Sequence, residues 1–466
     1  MKASFLQFYK QHVRLFYGLY IVLGAVFSVW GYVRAYIISG GVSLCANDFG
    51  NVFLPSASYV AAGHPLDMYA VRIGIYPNAN GPLGEMVIGG ILKIGYLLGL
   101  ERVGQPCQIT TIEMYWYDDT VTLRLLFIAF FALLYYVLVL LLLDLIRKRK
   151  DHTFSIYEQA FIALLLIVSP TMYDCLIFYG HYEIIIELLC AVMGLRAFLH
   201  NRRAEAGIWI GLAALTRTAS VFIAIPLVIA LAVNRKWKDV LFFSAGAMVT
   251  LAAGLLPFLW KSRADTIYSL VTFRSSEPIM DGSFWTFLRN THVGALLQNY
   301  DSTIAIIFAV IVSAALIIAG KIRDTDPLLT GVIVISQLFF ALFLKATWGY
   351  YFSEPFVIGL VFIFMAAQKH VRFWLSTVCI LYFSGLTGIT EYRISQTPNF
   401  FEEVGQVRLM VEWTSAVAAV LMALGILLLA GYTIYLGRNR PKSDPIEELP
   451  KAIEPIVLPP IATVEV

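Results

Sequence analysis

The sequence predicts an all-α protein that crosses a membrane many times, and three observations carry that prediction. The hydrophobic fraction is 59% and the charged fraction 14% of 466 residues, with a mean hydropathy of +0.75, all outside the range of a soluble domain of this size. Long apolar runs recur along the chain, each of the order of the roughly 20 residues needed to span a bilayer as a helix. Basic residues fall in short clusters bordering those runs: 10–14, 147–150, 202–203, 235–238, 321–323, 369–372 and 438–442. By the positive-inside rule all seven belong in the cytoplasm, so the chain between consecutive clusters crosses and returns, or dips in and comes back. The net charge of +3 gives no reason to expect a nucleic-acid partner; membrane lipid is the expected surroundings.

The first span is expected over 16–38, retained as a helix with its amino terminus inside. It delivers the chain to a long outside loop, 39–119. Within that loop 52–62 has helical spacing of apolar residues, and 83–100 is apolar but carries Glu85 and Lys93. Both read as helices lying in the membrane interface, although charge alone does not exclude 83–100 as a span. Cys45 and Cys107 share this loop, where oxidation is feasible, and Cys175, Cys190 and Cys379 read as small apolar packing residues.

Spans are then expected at 122–145, stopped by the basic run 147–150, at 157–172 going out, and at 183–198 coming back. The short outside turn between the last two contains Asp174 and His181. The apolar stretch 205–233 has a basic cluster at each end, yet its 29 or so residues cannot supply two full spans. A re-entrant pair of half-helices with its tip near 215–220 resolves the conflict, provided the broken backbone is buried in protein or lines a cavity. Arg217 sits at that tip. The span 240–260 leads to a second outside loop, 261–301, and spans follow at 303–319, 328–344, 355–367, 373–389 and 413–436. Residues 438–466, proline-rich and without an aromatic side chain, read as a disordered cytoplasmic tail after a membrane domain over 1–437. The count is about ten to twelve membrane-inserted helices.

Chemistry is expected where charge meets the outer interface. Asp48 follows the first span directly. A carboxylate held on a rigid helix end is well placed to take the proton from an acceptor hydroxyl as that oxygen attacks an anomeric carbon opposite a leaving phosphate. Phosphate leaves without a partner acid, so one carboxylate suffices where a glycosidase uses two. The plainer reading is that Asp48 caps the following helix.

Three patches carry a family resemblance. The run NDFGNVFLPSASYVAAGHPLDMY followed by YPNANGPLGEMVIGGIL resembles the first outside loop of GT-C glycosyltransferases, most closely the bacterial polyprenyl-phosphomannose-dependent mannosyltransferases of glycosyltransferase family 87. In that family an acidic residue and Phe follow the first helix, then an Ala-Ala-Gly, a Tyr and a Tyr-Pro-Pro; here stand Asp48, Phe49, Ala61, Ala62, Gly63, Tyr69, Tyr76 and Pro77. The stretch from Gly180 to Ile229 is similar to the family's Gly-Gln turn, returning helix and Gly-rich half-helix ending in a basic residue. Gly282 to Asn290, GSFWTFLRN, resembles the later outside loop more faintly. His181 stands in place of the family's Gln, and Tyr-Pro-Asn in place of Tyr-Pro-Pro.

The resemblance implies an inverting transfer of a sugar, mannose by preference, from a polyprenyl-phosphate donor to a glycolipid or glycan hydroxyl, outside a bacterial plasma membrane. It carries the base role to Asp48 alone. A related enzyme of GPI-anchor synthesis has an Asp-x-Asp in this loop; the single Asp48 gives no support for a metal, and no cofactor is expected.

Other candidates come with alternatives. An arginine within the membrane calls for a partner or cavity, so Arg217 is a candidate to grip the donor phosphate bidentately, or else pairs with a loop carboxylate. Arg274, Arg289 and His292 in the second loop are further phosphate candidates, or plain solvated charges. His181 and Glu183 begin a helix on the outer side and suit hydrogen bonds to sugar hydroxyls, or serve that helix end. Tyr76 joins them as an acceptor-side candidate. Trp348, Tyr350 and Tyr351, beside Lys345 and Glu354, are either interfacial anchors or a stacking wall for a pyranose. His64 and Asp67 read as turn residues.

The competing function is a transporter or lipid-linked sugar flippase, for which broken helices and a buried arginine are also expected; it predicts an internal repeat, and none is visible. A polymerase or ligase using polyprenyl carriers would carry its main outside loop late in the chain.

Overall fold

The computed structural model describes residues 52–70, 72–73, 76–99, 121–148, 156–173, 175–176, 180–280, 282–395 and 405–439. Asp48, the first expected span, Cys45 and Cys107, Asp174 and most of the tail lie outside the described residues.

The protein is an all-α polytopic membrane protein. Its helices run α1 (Leu54–Ala61), α2 (Pro82–Leu97), α3 (Val121–Lys148), α4 (Ile156–Val168), α5 (Pro170–Tyr173), α6 (Glu183–Leu199), α7 (Arg203–Thr216), α8 (Val221–Val233), α9 (Trp237–Lys261), α10 (Arg263–Ile267), α11 (Phe273–Ser276), α12 (His292–Ala319), α13 (Leu329–Phe343), α14 (Ser353–Ala366), α15 (Arg372–Ser395) and α16 (Gly405–Arg438). Among the described residues six helices are long and apolar enough to cross a membrane, within α3, α9, α12, the segment 349–366 containing α14, α15 and α16, with shorter apolar helices at 157–168, 218–233 and 329–343. The one sheet in the described residues is a two-residue antiparallel pair, β1 (Arg72–Ile73) with β2 (Tyr76–Pro77), inside the first outside loop. Helix α12 starts at His292 rather than near 303, because Thr291 caps it by accepting from Gly294 N–H at 3.1 Å. A non-helical Tyr300 (φ −134°, ψ 18°) then kinks it.

The stretch 203–233 is two helices of 14 and 13 residues with a break at Arg217. Each is about 20 Å long, short of the roughly 30 Å hydrocarbon core of a bilayer. Arg217 itself is extended (φ −143°, ψ 133°), and a 3-10 turn over Thr218–Ser220 starts the return. Both outer ends meet in one ion-pair network. The Arg203 guanidinium, buried at the start of α7, pairs with Asp324 and lies 3.4 Å from Asp239. It also donates to the Phe198 carbonyl at 2.6 Å, and Lys236 Nζ reaches Asp324 at 3.0 Å. The basic clusters at 202–203, 235–238 and 321–323 therefore gather at one end of the bundle. Arg438 joins them through the Ala319 carbonyl at 3.0 Å.

Helices α7 and α9 cross at backbone distance. A Cβ on Gly207 would overlap the Phe243 carbonyl, and one on Gly246 the Ala204 carbonyl, so small residues set this crossing as they do in membrane bundles generally. At the other end of the bundle, the segment 279–288 is laid over the end of α13. Met280 N–H donates to Lys345 O at 2.8 Å, Ser283 Oγ to Leu344 O at 2.9 Å, and Trp285 Nε1 to Leu342 O at 2.6 Å. These bonds satisfy carbonyls that a helix end leaves open. Arg393 of α15, fully buried, closes the arrangement by donating to the Ser283 and Gly282 carbonyls at 2.9 and 3.0 Å.

Removing Asp324 leaves Arg203 with Asp239, at 3.4 Å, as its one carboxylate partner among the described residues. Asp324→Ala is therefore expected to lower stability by about 3 kcal/mol, the order found when one partner of a buried pair is deleted. Lys236→Ala, which removes an exposed member of the same network, is expected to cost less than about 1 kcal/mol. Melting temperatures of the detergent-purified variants check both; equal shifts would show that the Arg203 pair does not hold this end together.

Candidate active site

The site grows from the break between α7 and α8. Arg217 is buried there with carboxylates from two other helices around its guanidinium. Glu354, in the first turn of α14, pairs with Nη1. Glu187 Oε2 of α6 lies 3.5 Å from the same nitrogen, and Glu183 Oε1 lies 3.9 Å from Nε. Glu183 and Glu187 share a helix face because they are four residues apart. Both Glu183 and Glu354 sit in first helical turns, where the positive end of the helix dipole favours a carboxylate. Ser220 Oγ donates to Glu187, and His181 Nδ1 lies 2.6 Å from Glu183 Oε1.

Aromatic rings close around this group. The Tyr350 and Tyr351 ring centres lie 5.7 and 5.3 Å from the guanidinium carbon, within cation–π reach. Tyr350 packs on the His181 ring at 3.7 Å between centroids, tilted by 30°, and Phe53 meets the same imidazole edge-on at 5.1 Å. Three carboxylates face one guanidinium, so the group carries an excess of acid.

The segment 78–85 packs against the helix break. Gly81 N–H donates to the Thr216 carbonyl at 3.1 Å, the last residue before Arg217, and a Cβ at Gly81 would overlap the Leu215 carbonyl. Glycine is required at 81 because two backbones touch there. Tyr69 Oη donates to Asn80 O at 3.0 Å, fixing the 78–82 segment. Glu85, in the first turn of α2, is fully buried; burial, and after it the charge of Glu183, pushes its carboxyl well above the usual carboxylate range.

Arg217 also faces a cavity of about 360 Å³. Its lining includes the polar residues Asn80, Arg217, Asn299, Asp301, Thr303 and Tyr351 and the apolar residues Phe222, Leu270, Val271, Ile306 and Phe340. The kink at Tyr300 turns Asn299 and Asp301 toward it. Ser275 lines it too, and its carbonyl accepts from Lys345 Nζ at 2.9 Å; burial lowers the Lys345 ammonium below its ordinary value. A lining that combines polar and apolar side chains suits an amphiphile whose charged head sits beside hydrocarbon.

The residues singled out from sequence distribute unevenly over this geometry. His181, Glu183, Arg217, Tyr350 and Tyr351 come together, with both tyrosines buried in protein. Trp348 is half-buried against the core. Arg289 is half-buried at the end of a 3-10 turn, and His292 is exposed on the first turn of α12; neither lines the cavity. Arg274 lies on α11 beside Ser275 and Tyr76 lies on β2, and their side chains are outside the described residues, as is all of Asp48. Sequence reasoning missed Glu187, Glu85, Asn78, Asn80 and Asp301 as site residues and placed Glu354 and Lys345 only as neighbours of aromatics. The i, i+4 pair of acids in an apolar helix was the signal available for Glu187.

Comparison with protein families and curated proteins completes the picture. No curated protein matches the chain. The pattern of Glycosyltransferase family 87 matches residues 116–344, a span that contains His181, Glu183, Glu187, Arg217, Arg274, Arg289, His292 and Asp301 and ends just before the aromatic run at 348–351. The chain is thus a multi-pass membrane glycosyltransferase, with a GT-C-type glycosyltransferase family 87 domain over residues 116–344.

Proposed function

We propose that the enzyme transfers a sugar, mannose by preference, from a polyprenyl-phosphate donor to a glycolipid or glycan hydroxyl, with inversion, at the outer face of a bacterial plasma membrane. The observation that supports this reading is the cavity of mixed lining at the helix break, where Arg217, Asn80, Asn299 and Asp301 share the lining with apolar side chains of α8, α12 and α13. A lipid-phosphate sugar has that mixture of polarity. The apolar side chains take the first isoprene units, and the phosphate lies on the Arg217 side.

In this reading Asp48 is the general base. Its carboxylate takes the acceptor hydroxyl proton as the oxygen bonds to the anomeric carbon. The bond from that carbon to the phosphate oxygen breaks on the opposite face, and its electron pair leaves with the phosphate. Arg217 holds the phosphate from inside the protein. The carboxylates behind it keep the guanidinium ionised and fix its plane, which leaves its cavity side for the incoming oxygens. Lys345, whose ammonium donates to the Ser275 carbonyl, and Arg274, the neighbour of Ser275 in the sequence, are further phosphate-binding residues in this reading, as are Arg289 and His292. His181, Glu183, Tyr76, Trp348, Tyr350 and Tyr351 are the sugar-side residues.

Purified enzyme incubated with radiolabelled polyprenyl-phosphate mannose and a panel of glycolipid acceptors is expected to give a mannosylated lipid of inverted anomeric configuration. Asp48→Asn is expected to lower kcat by about 100-fold or more at unchanged melting temperature. Wild-type-like turnover in that variant would remove Asp48 from the base role.

Arg217→Lys keeps the charge among Glu183, Glu187 and Glu354 but loses the two-pronged grip. It is expected to raise the donor KM about tenfold or more, an effect of the order of one charge-assisted hydrogen bond, with a smaller change in the acceptor KM. An unchanged donor KM would confine Arg217 to holding α6 and α14 together.

A further inference from the structure

Next to the cavity lining lies a second polar group, of which the reaction above uses Glu183 alone. Asn78, Glu85 and Glu183 are at most 2% exposed, yet Asn78 Nδ2, both Glu85 oxygens and Glu183 Oε2 have no hydrogen-bond partner. Four unsatisfied atoms in one buried place are exceptional in a folded protein, and such groups call for an explanation. They are close together. A Cβ built on Gly84, next to Glu85, would stand 3.0 Å from Glu183 Cβ, and the Asn78 amide lies beside the Glu85 carboxyl, where it favours the ionised form.

The group is separated from the cavity by a thin partition. Arg217 lines the cavity and lies 3.9 Å from Glu183 Oε1. Asn80 lines it too, and its N–H donates to Asn78 Oδ1 at 3.0 Å. Arg217 and Asn80 therefore join the cavity lining to Glu183 and Asn78.

We propose that Asn78, Glu85 and Glu183 form a hydroxyl-binding subsite that takes a hexose ring by two neighbouring hydroxyls, reached past Asn80 and Arg217. The proposal rests on the reading of the cavity as the substrate site. A sugar hydroxyl both donates and accepts, and the subsite offers both kinds of atom: the Asn78 amide donates, and the Glu183 Oε2 and Glu85 oxygens accept. Glu85, held toward its protonated form, donates as well. A site built in this way rejects a ring that lacks the hydroxyl, because its own polar atoms are then left unpaired. The ring is that of the donor or of the acceptor; the chemistry recognised is the same.

The test uses the full-length protein in detergent and reads melting temperature with free D-mannose, D-glucose or D-galactose, against sucrose at equal mass as the nonspecific stabiliser. A hexose is expected to raise the wild-type melting temperature beyond the sucrose shift. Glu85→Leu and Asn78→Ala are expected to lose that excess, while Glu85→Gln retains part of it. If Glu85 is merely buried structure, Glu85→Leu melts higher than wild type and keeps the hexose shift, which overturns the proposal; so does a wild type on which no hexose exceeds sucrose. Turnover with polyprenyl-phosphate mannose then identifies the source of the ring: Glu85→Leu raises the KM of the substrate whose sugar binds there about tenfold. Absence of turnover by the wild type counts against the proposed donor alone, since the melting shift does not depend on catalysis.

Discussion

The arrangement of this enzyme depends on one buried guanidinium. Arg217 ends α7 in extended backbone, so the helix stops within the depth of the fold and its partner α8 turns back. That break is tolerable only because neighbouring elements supply what the backbone and the charge need. Glu354 from α14, with Glu187 and Glu183 from α6, surrounds the guanidinium, and the first outside loop covers the open Thr216 carbonyl through Gly81. A buried charge is stabilising only when so surrounded. The same contacts bring four distant stretches of chain to one point, which is the point where the cavity lies.

A second constraint acts at the opposite end. Arg203 with Asp324, Asp239 and Lys236 ties the outer ends of α7 and α8 to the start of α9 and the segment after α12. The half-helix pair is thus held at both its base and its tip by ion pairs, and between them by close backbone packing of α7 on α9. A segment fixed at both ends presents its tip in one position, as a binding site built on a rigid element must.

Much of this was legible in the sequence. A length of apolar chain too short for two spans, 205–233, with basic residues at both ends, pointed to two short helices with a tip near 215–220, and the structure has helices of 14 and 13 residues with the break at Arg217. The starts of α6, α13, α14 and α15 fell within about two residues of where hydropathy and charge put them, a normal margin for helix ends. The start of α12 was missed by eleven residues because polar residues from His292 to Ser302 read as loop, while a Thr cap and a kink let them form helix. Most of the acid group was missed for a different reason. Glu85, Glu187 and Glu354 lie on three helices, and no local pattern states that α2, α6 and α14 converge. Single acids in apolar segments read as isolated exceptions until the fold shows that they share one arginine or one another.

The balance of charge in that convergence bears on how the site works. A lone arginine in an apolar setting would hold a phosphate strongly in substrate and product alike, which favours binding over turnover. Here the guanidinium already has three acidic side chains around it, so in the proposed reaction an incoming phosphate shares it rather than owning it. On that reading the dianionic phosphate left after transfer meets the same acids at close range, which opposes its retention. An arginine shared in this way would orient the proposed leaving group and still release its carrier lipid afterwards, because burial of the acids, away from screening water, extends the reach of their charge.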